Sequence, residues 1–120
     1  MDKIELTDTI VVNQGLEDLI PELIKFSEKH GMSVVEKSEH KIRLKQGSHM
    51  VTNLLGTWLA PVKFLPKQAV IEIEWHEHGA ILTIQIEETL GFGKLQRIWN
   101  KYMNYFDYWV KDLREAVGAK

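Results

Sequence analysis

The pattern of hydrophobic periods predicts an α+β fold: a curved antiparallel sheet gripping one long C-terminal helix, with a shorter helical segment after the first strand. Three observations lead there. Short runs that alternate apolar and polar residues recur along the chain, separated by turn residues. From Lys94 to Val117 a helical period takes over and keeps one wide apolar face. Between the first alternating run and the rest, Leu16, Leu19, Ile20, Leu23 and Ile24 also follow helical spacing.

The elements follow in chain order. Ile4, Leu6, Ile10 and Val12 alternate with polar neighbours, a strand with one buried face. Asp8 falls on the apolar side of that alternation, which implies either a bend or an edge there, or the one carboxylate that burial would perturb. Asn13-Gln14-Gly15 is a turn. Pro21 interrupts the helical run behind it, either kinking one helix or opening a second, and His30-Gly31 stops it. Met32 to Glu36 and Lys41 to Lys45 read as two strands joined around Ser38-Glu39. In the second, Ile42 and Leu44 face inward, and Lys41, Arg43 and Lys45 form an outer basic row that Glu36 can pair. Ala69, Ile71, Ile73 and Trp75, then Leu82, Ile84 and Ile86, are the inward rows of a hairpin turning at Glu77-His78-Gly79.

Around the last helix, Leu95, Trp99, Tyr102, Phe106, Val110, Leu113 and Val117 form one stripe that Met103 widens. Ile98, Tyr105 and Trp109 add an aromatic shoulder beyond what one core needs. The segment from Ser48 to Pro66 follows neither period and has Lys63 as its only charged side chain. An apolar connector of this kind must be buried, cover something or meet a partner.

This layout resembles the helix-grip fold of the START-like superfamily, the group that includes the birch pollen allergen. The parts that carry the resemblance are the strand Ile4–Val12, the Pro21-interrupted helical region, the hairpins and the gripped helix Lys94–Val117. The chain is short for that group, with one strand fewer expected. The resemblance implies one helix-grip-like domain over residues 1–120 and a hydrophobic ligand between sheet and helix.

Composition narrows the function classes. The chain has 120 residues, 44% hydrophobic and 27% charged, enough for one core. A net charge of −2 gives no electrostatic case for nucleic acid. With no cysteine, disulfides, thiolate metal sites and cysteine nucleophiles are excluded. No apolar run approaches the ~20 residues that span a bilayer. Met1-Asp2-Lys3-Ile4-Glu5 is charged at once and holds no signal-peptide core, so a cytoplasmic protein is expected.

The candidate ligand-binding residues are aromatic and apolar: Trp99, Tyr102, Tyr105, Phe106 and Trp109 on the helix, Trp75 on the sheet, and Trp58, Leu59 and Phe64 in the connector. The same rings serve equally as core filler. Chemistry is sparse. Glu74, His76 and His78 have the spacing of a metal chelate but sit at a hairpin tip, and His30, His40 and His49 are isolated. Glu87 and Glu88 are adjacent and face opposite ways on a strand. Gly91-Phe92-Gly93-Lys94 precedes a helix but lacks a full phosphate-loop pattern. No cofactor, metal or catalytic set is assigned. The leading expectation is non-enzymatic binding of an apolar small molecule or lipid, with catalysis left open. The rival is a homodimerisation or docking module using the 50–66 connector.

Overall fold

In the computed structural model, the described residues form five strands and two helices, arranged as the periods predict. The structure describes residues 5–46, 67–88 and 96–118, the side chains of Leu16 and residues 96–99 excepted. In order they are β1 (Glu5–Val12), α1 (Leu16–Lys29), β2 (Ser33–Lys37), β3 (Lys41–Gln46), β4 (Lys67–His76), β5 (Gly79–Glu88) and α2 (Gln96–Ala116). The strands form one antiparallel sheet in the order β1-β5-β4-β3-β2, so the first strand crosses to pair with the last. This is an α+β helix-grip-like fold, with a 21-residue C-terminal helix against the sheet.

The alternation read from sequence becomes a set of cross-strand rungs on the face toward α2. One rung is Ile42, Ile71 and Ile84, and its neighbour is Leu44, Ala69, Ile86 and Leu6. All but the half-buried Leu6 are fully enclosed. Tyr102, Phe106, Val110 and Leu113 of α2, with Val117 just beyond its end, close the core over them. Each buried Ile or Leu contributes about 1.5–3 kcal/mol relative to exposure, so these rows alone account for the sheet's choice of inner face. The outer face is polar, and Glu36 meets Arg43 across β2 and β3, with 3.6 Å between the charged atoms.

Pro21 lies inside α1, which runs through it as one helix of 14 residues. It is exposed, so its ring meets solvent, and the cost is the one backbone hydrogen bond it cannot donate. The helix ends where His30-Gly31 predicted. Gly31 takes φ +69°, its N–H reaches Glu28 O at 3.0 Å, and Met32 N–H reaches Ser27 O at 2.8 Å. That pair of bonds caps the helix and commits Met32 to the core, so β2 begins one residue later than expected. β2 is exposed along its length and carries a register shift between Val34 and Glu36.

One expectation is met and one is corrected. Asp8, whose place on the apolar side of the alternation implies a bend or an edge, is at an edge, on strand β1. It receives a hydrogen bond of 2.8 Å from the Arg114 guanidinium of α2. Burial alone would raise its carboxyl, but the Arg114 and Thr9 hydrogen bonds and the Arg114 charge hold it below its ordinary value. The correction concerns the aromatic shoulder. Trp109 is no surplus: it is fully buried, edge-on to Phe26 with centroids 5.1 Å apart, and α1 covers it. Helical spacing showed how wide the apolar face is, but not that two neighbouring elements share it. Ile98 and the connector offered as cover lie outside the described side chains.

Candidate functional site

At one end of the inner face the apolar rungs give way to a polar one. Gln46 is the register partner of Lys67, and Lys67 that of Glu88. All three continue the inward alternation of their strands. Lys67 is 1% exposed and Glu88 2%. A lysine and a glutamate enclosed this way are uncommon, because removing either charge from water costs several kcal/mol before any compensation.

Two tyrosines of α2 close over this rung. The Lys67 amine lies 4.9 Å from the centre of the Tyr105 ring, within cation–π range. The Tyr105 hydroxyl is 3.3 Å from Gln46 Oε1, to which it donates, and 3.5 Å from His30 Nδ1. His30 Nε2 then meets Asp112 Oδ2 at 2.6 Å, and Lys29 reaches the same carboxylate at 3.2 Å. Gln46 also donates from Nε2 to the His30 carbonyl. A hydrogen-bonded chain thus leads from Asp112, near the surface, through His30 and Tyr105 to the inner rung.

Burial sets the protonation behaviour. With little water around it, the Lys67 ammonium is disfavoured and its pKa falls to about 7. Burial pushes the Tyr105 hydroxyl up to about 12, with Tyr108 and Asp112 adding to the effect. Burial and the negative charge of Glu88 raise Tyr102 further. Both hydroxyls therefore stay protonated as donors at neutral pH. The hydrogen bond from His30 holds the Asp112 carboxyl below its ordinary value against the opposing effect of burial, with Lys29 assisting.

The predicted site residues are only partly brought together. Tyr102 and Tyr105 meet at the polar rung, while Phe106 packs tilted against Tyr102 with ring centroids 5.6 Å apart and Trp109 turns toward α1, donating from Nε1 to Met32 Sδ at 3.3 Å. Trp75 lies near the far end of β4 from Lys67. There it is half-buried and donates from its indole to the Glu39 carbonyl at 2.7 Å, fastening the β2–β3 turn. Trp58, Leu59 and Phe64 lie outside the described residues, as does the side chain of Trp99. His76 Nε2 stands 4.0 Å from Glu74 Oε1 at the exposed hairpin end. Among the described residues no group of three or more histidines and carboxylates is gathered as a metal ion requires.

Gln46 and Lys67 carry no reading in the sequence, Glu88 is read there only as facing away from Glu87, His30 only as a helix stop and an isolated histidine, and Asp112 not at all. For the first three a signal existed: each occupies the next inward position after an apolar row, two residues from Leu44, Ala69 and Ile86. Polar residues there read naturally as strand ends. The His30–Asp112 contact joins residues far apart in the chain and had no local signature.

No family model matches this chain, and no curated protein matches it. Solved structures do match its fold. One is the di-domain ARO/CYC StfQ from the steffimycin biosynthetic pathway, with TM-score 0.60 and 13% identity over 97% of this chain. This chain spans 50% of the length of that protein. At that identity the likeness establishes the shared α+β, helix-grip-like architecture.

Proposed function

We propose that this chain binds a small molecule with an apolar body and one polar end, held between the inner face of the sheet and α2. The observation that carries this reading is the polar rung Gln46–Lys67–Glu88 on a face that is otherwise apolar and enclosed except at its β1 edge, where Asp8 pairs with Arg114. Stability does not account for it, since buried charges replaced by well-packed apolar residues usually leave a protein as stable or more so. A ligand site does account for it, because such sites are mostly apolar with a few convergent polar groups. Lys67 and the two tyrosine hydroxyls supply donors, and Glu88 and Gln46 supply acceptors. The shared fold with a protein of a biosynthetic pathway supports a small-molecule role. Tyr102 and Tyr105 are the residues we place against the polar end. Trp58, Leu59, Phe64 and Trp99 are proposed as further lining, and Phe106 and Trp109 as the packing behind it.

Native mass spectrometry of freshly purified protein is expected to show a bound small-molecule mass. Titration with fatty acids or aromatic acids is expected to change tryptophan fluorescence in a saturable way. If neither occurs and sedimentation shows a dimer that Trp58→Ala breaks up, the ligand reading fails in favour of an interaction module.

A further inference from the structure

We propose that the Lys67 amine is a nucleophile that captures aldehydes or ketones as an imine, making carbonyl compounds the ligand class of the inner-face site. This rests on the small-molecule reading above and adds a covalent step to it.

Position supports it first. Lys67 opens β4 on the inner face, its amine set against the Tyr105 ring and its backbone registered with Glu88. An amine on an enclosed, partly aromatic surface attacks a bound carbonyl without first shedding a hydration shell. Protonation supports it second. Only the neutral amine is nucleophilic, and burial holds Lys67 near 7, so about half is neutral at that pH. An exposed lysine, with a pKa of about 10.4, is neutral in roughly one molecule per thousand or fewer. The surroundings support it third. Imine formation needs a group to take protons and groups to give them, and the rung supplies the Glu88 carboxylate and the Tyr102 and Tyr105 hydroxyls.

The balance is closed. The nitrogen lone pair forms a C–N bond to the carbonyl carbon while the carbonyl oxygen gains a proton, giving a carbinolamine. The C–O bond then breaks, that oxygen leaves as water, and the nitrogen loses its second proton as the C=N bond forms. No oxidant or reductant is consumed, and hydrolysis reverses the step.

The test is reductive trapping of the whole protein with benzaldehyde and cyanoborohydride at pH 7, followed by peptide mapping. Lys67 is expected to label at least tenfold faster than Lys29, whose side chain is 64% exposed. A Lys67→Gln variant that keeps the native circular dichroism spectrum is expected to lose the fast phase and keep the slow surface labelling. Labelling of Lys67 no faster than Lys29, or a fast phase surviving in Lys67→Gln, would overturn the proposal. A parallel titration with decanoic acid separates the two readings. A saturable fluorescence response without Lys67 trapping leaves the binding site and removes the imine, whereas absence of both removes both.

Discussion

Asp112 joins the two helices through His30, whose side chain is 5% exposed. Charge-assisted hydrogen bonds of this kind contribute about 1.5–3 kcal/mol. Asp112→Asn keeps the shape and removes the charge, so it is expected to destabilise the fold by about 1–2 kcal/mol, measured by urea unfolding at pH 7. The sign of the pH dependence follows from the lowered Asp112 pKa. The stabilisation is present above the unfolded value of 3.8 and is lost as pH falls through the still lower folded value. Asp8 behaves in the same sense through Arg114. Lys67 works in the opposite window. Its pKa falls from 10.5 unfolded to about 7 folded, so between these values the unfolded chain binds more protons and stability rises with pH. Comparing wild type with Lys67→Met at pH 7 and pH 9 isolates this effect. The wild type is expected to gain roughly 2 kcal/mol more than the variant over that interval. Equal slopes would show that Lys67 keeps an ordinary pKa.

Among the elements, α1 carries an avoidable cost and the β4–β5 hairpin a strict requirement. Pro21 removes one helical hydrogen bond from an exposed position, so Pro21→Ala is expected to stabilise by about 1–3 kcal/mol in urea unfolding. A decrease would mean that the packing of Leu19 and Leu23 depends on a bend set by the proline. Gly79 is the reverse case. A Cβ there would lie 2.0 Å from the Val12 carbonyl oxygen, a backbone atom that moves only if β1 shifts away from β5. Gly79→Ala is expected to cost about 1–3 kcal/mol, with chemical-shift changes centred on β1. The hairpin itself was legible because Glu77-His78-Gly79 combines turn residues between two clean alternations. Its glycine requirement was not, since the atom it spares belongs to a strand far away in sequence.

For the whole molecule, the architecture was legible and the site was not, and both have one cause. Layering follows from the sum of many apolar side chains, and Ile42, Ile71, Ile84 and Phe106 announce their faces through local period alone. The candidate site depends on a few polar residues on four elements, whose meeting is decided by register. Lys67 stands beside Gln46 and Glu88 because β3, β4 and β5 align where they do, and a one-residue slip would turn Lys67 to the outer face. Of the aromatic residues singled out on the long helix, Tyr102, Phe106 and Trp109 are core and Tyr105 is half-buried. They mark the long helix, but the polar groups that distinguish one end of it lie on the strands.

The strand order also sets a schedule for folding. Among the described strands, β2, β3 and β4 each pair with the next strand in the chain, whereas β1 pairs only with β5. A ribosome therefore releases β1 long before its partner β5 exists, and the nascent chain must hold Ile10 and Val12 without that strand to help bury them. Pulse-labelled hydrogen exchange during refolding is expected to find amides of β4 and β5 protected before those of β1. The edge that is written first closes last.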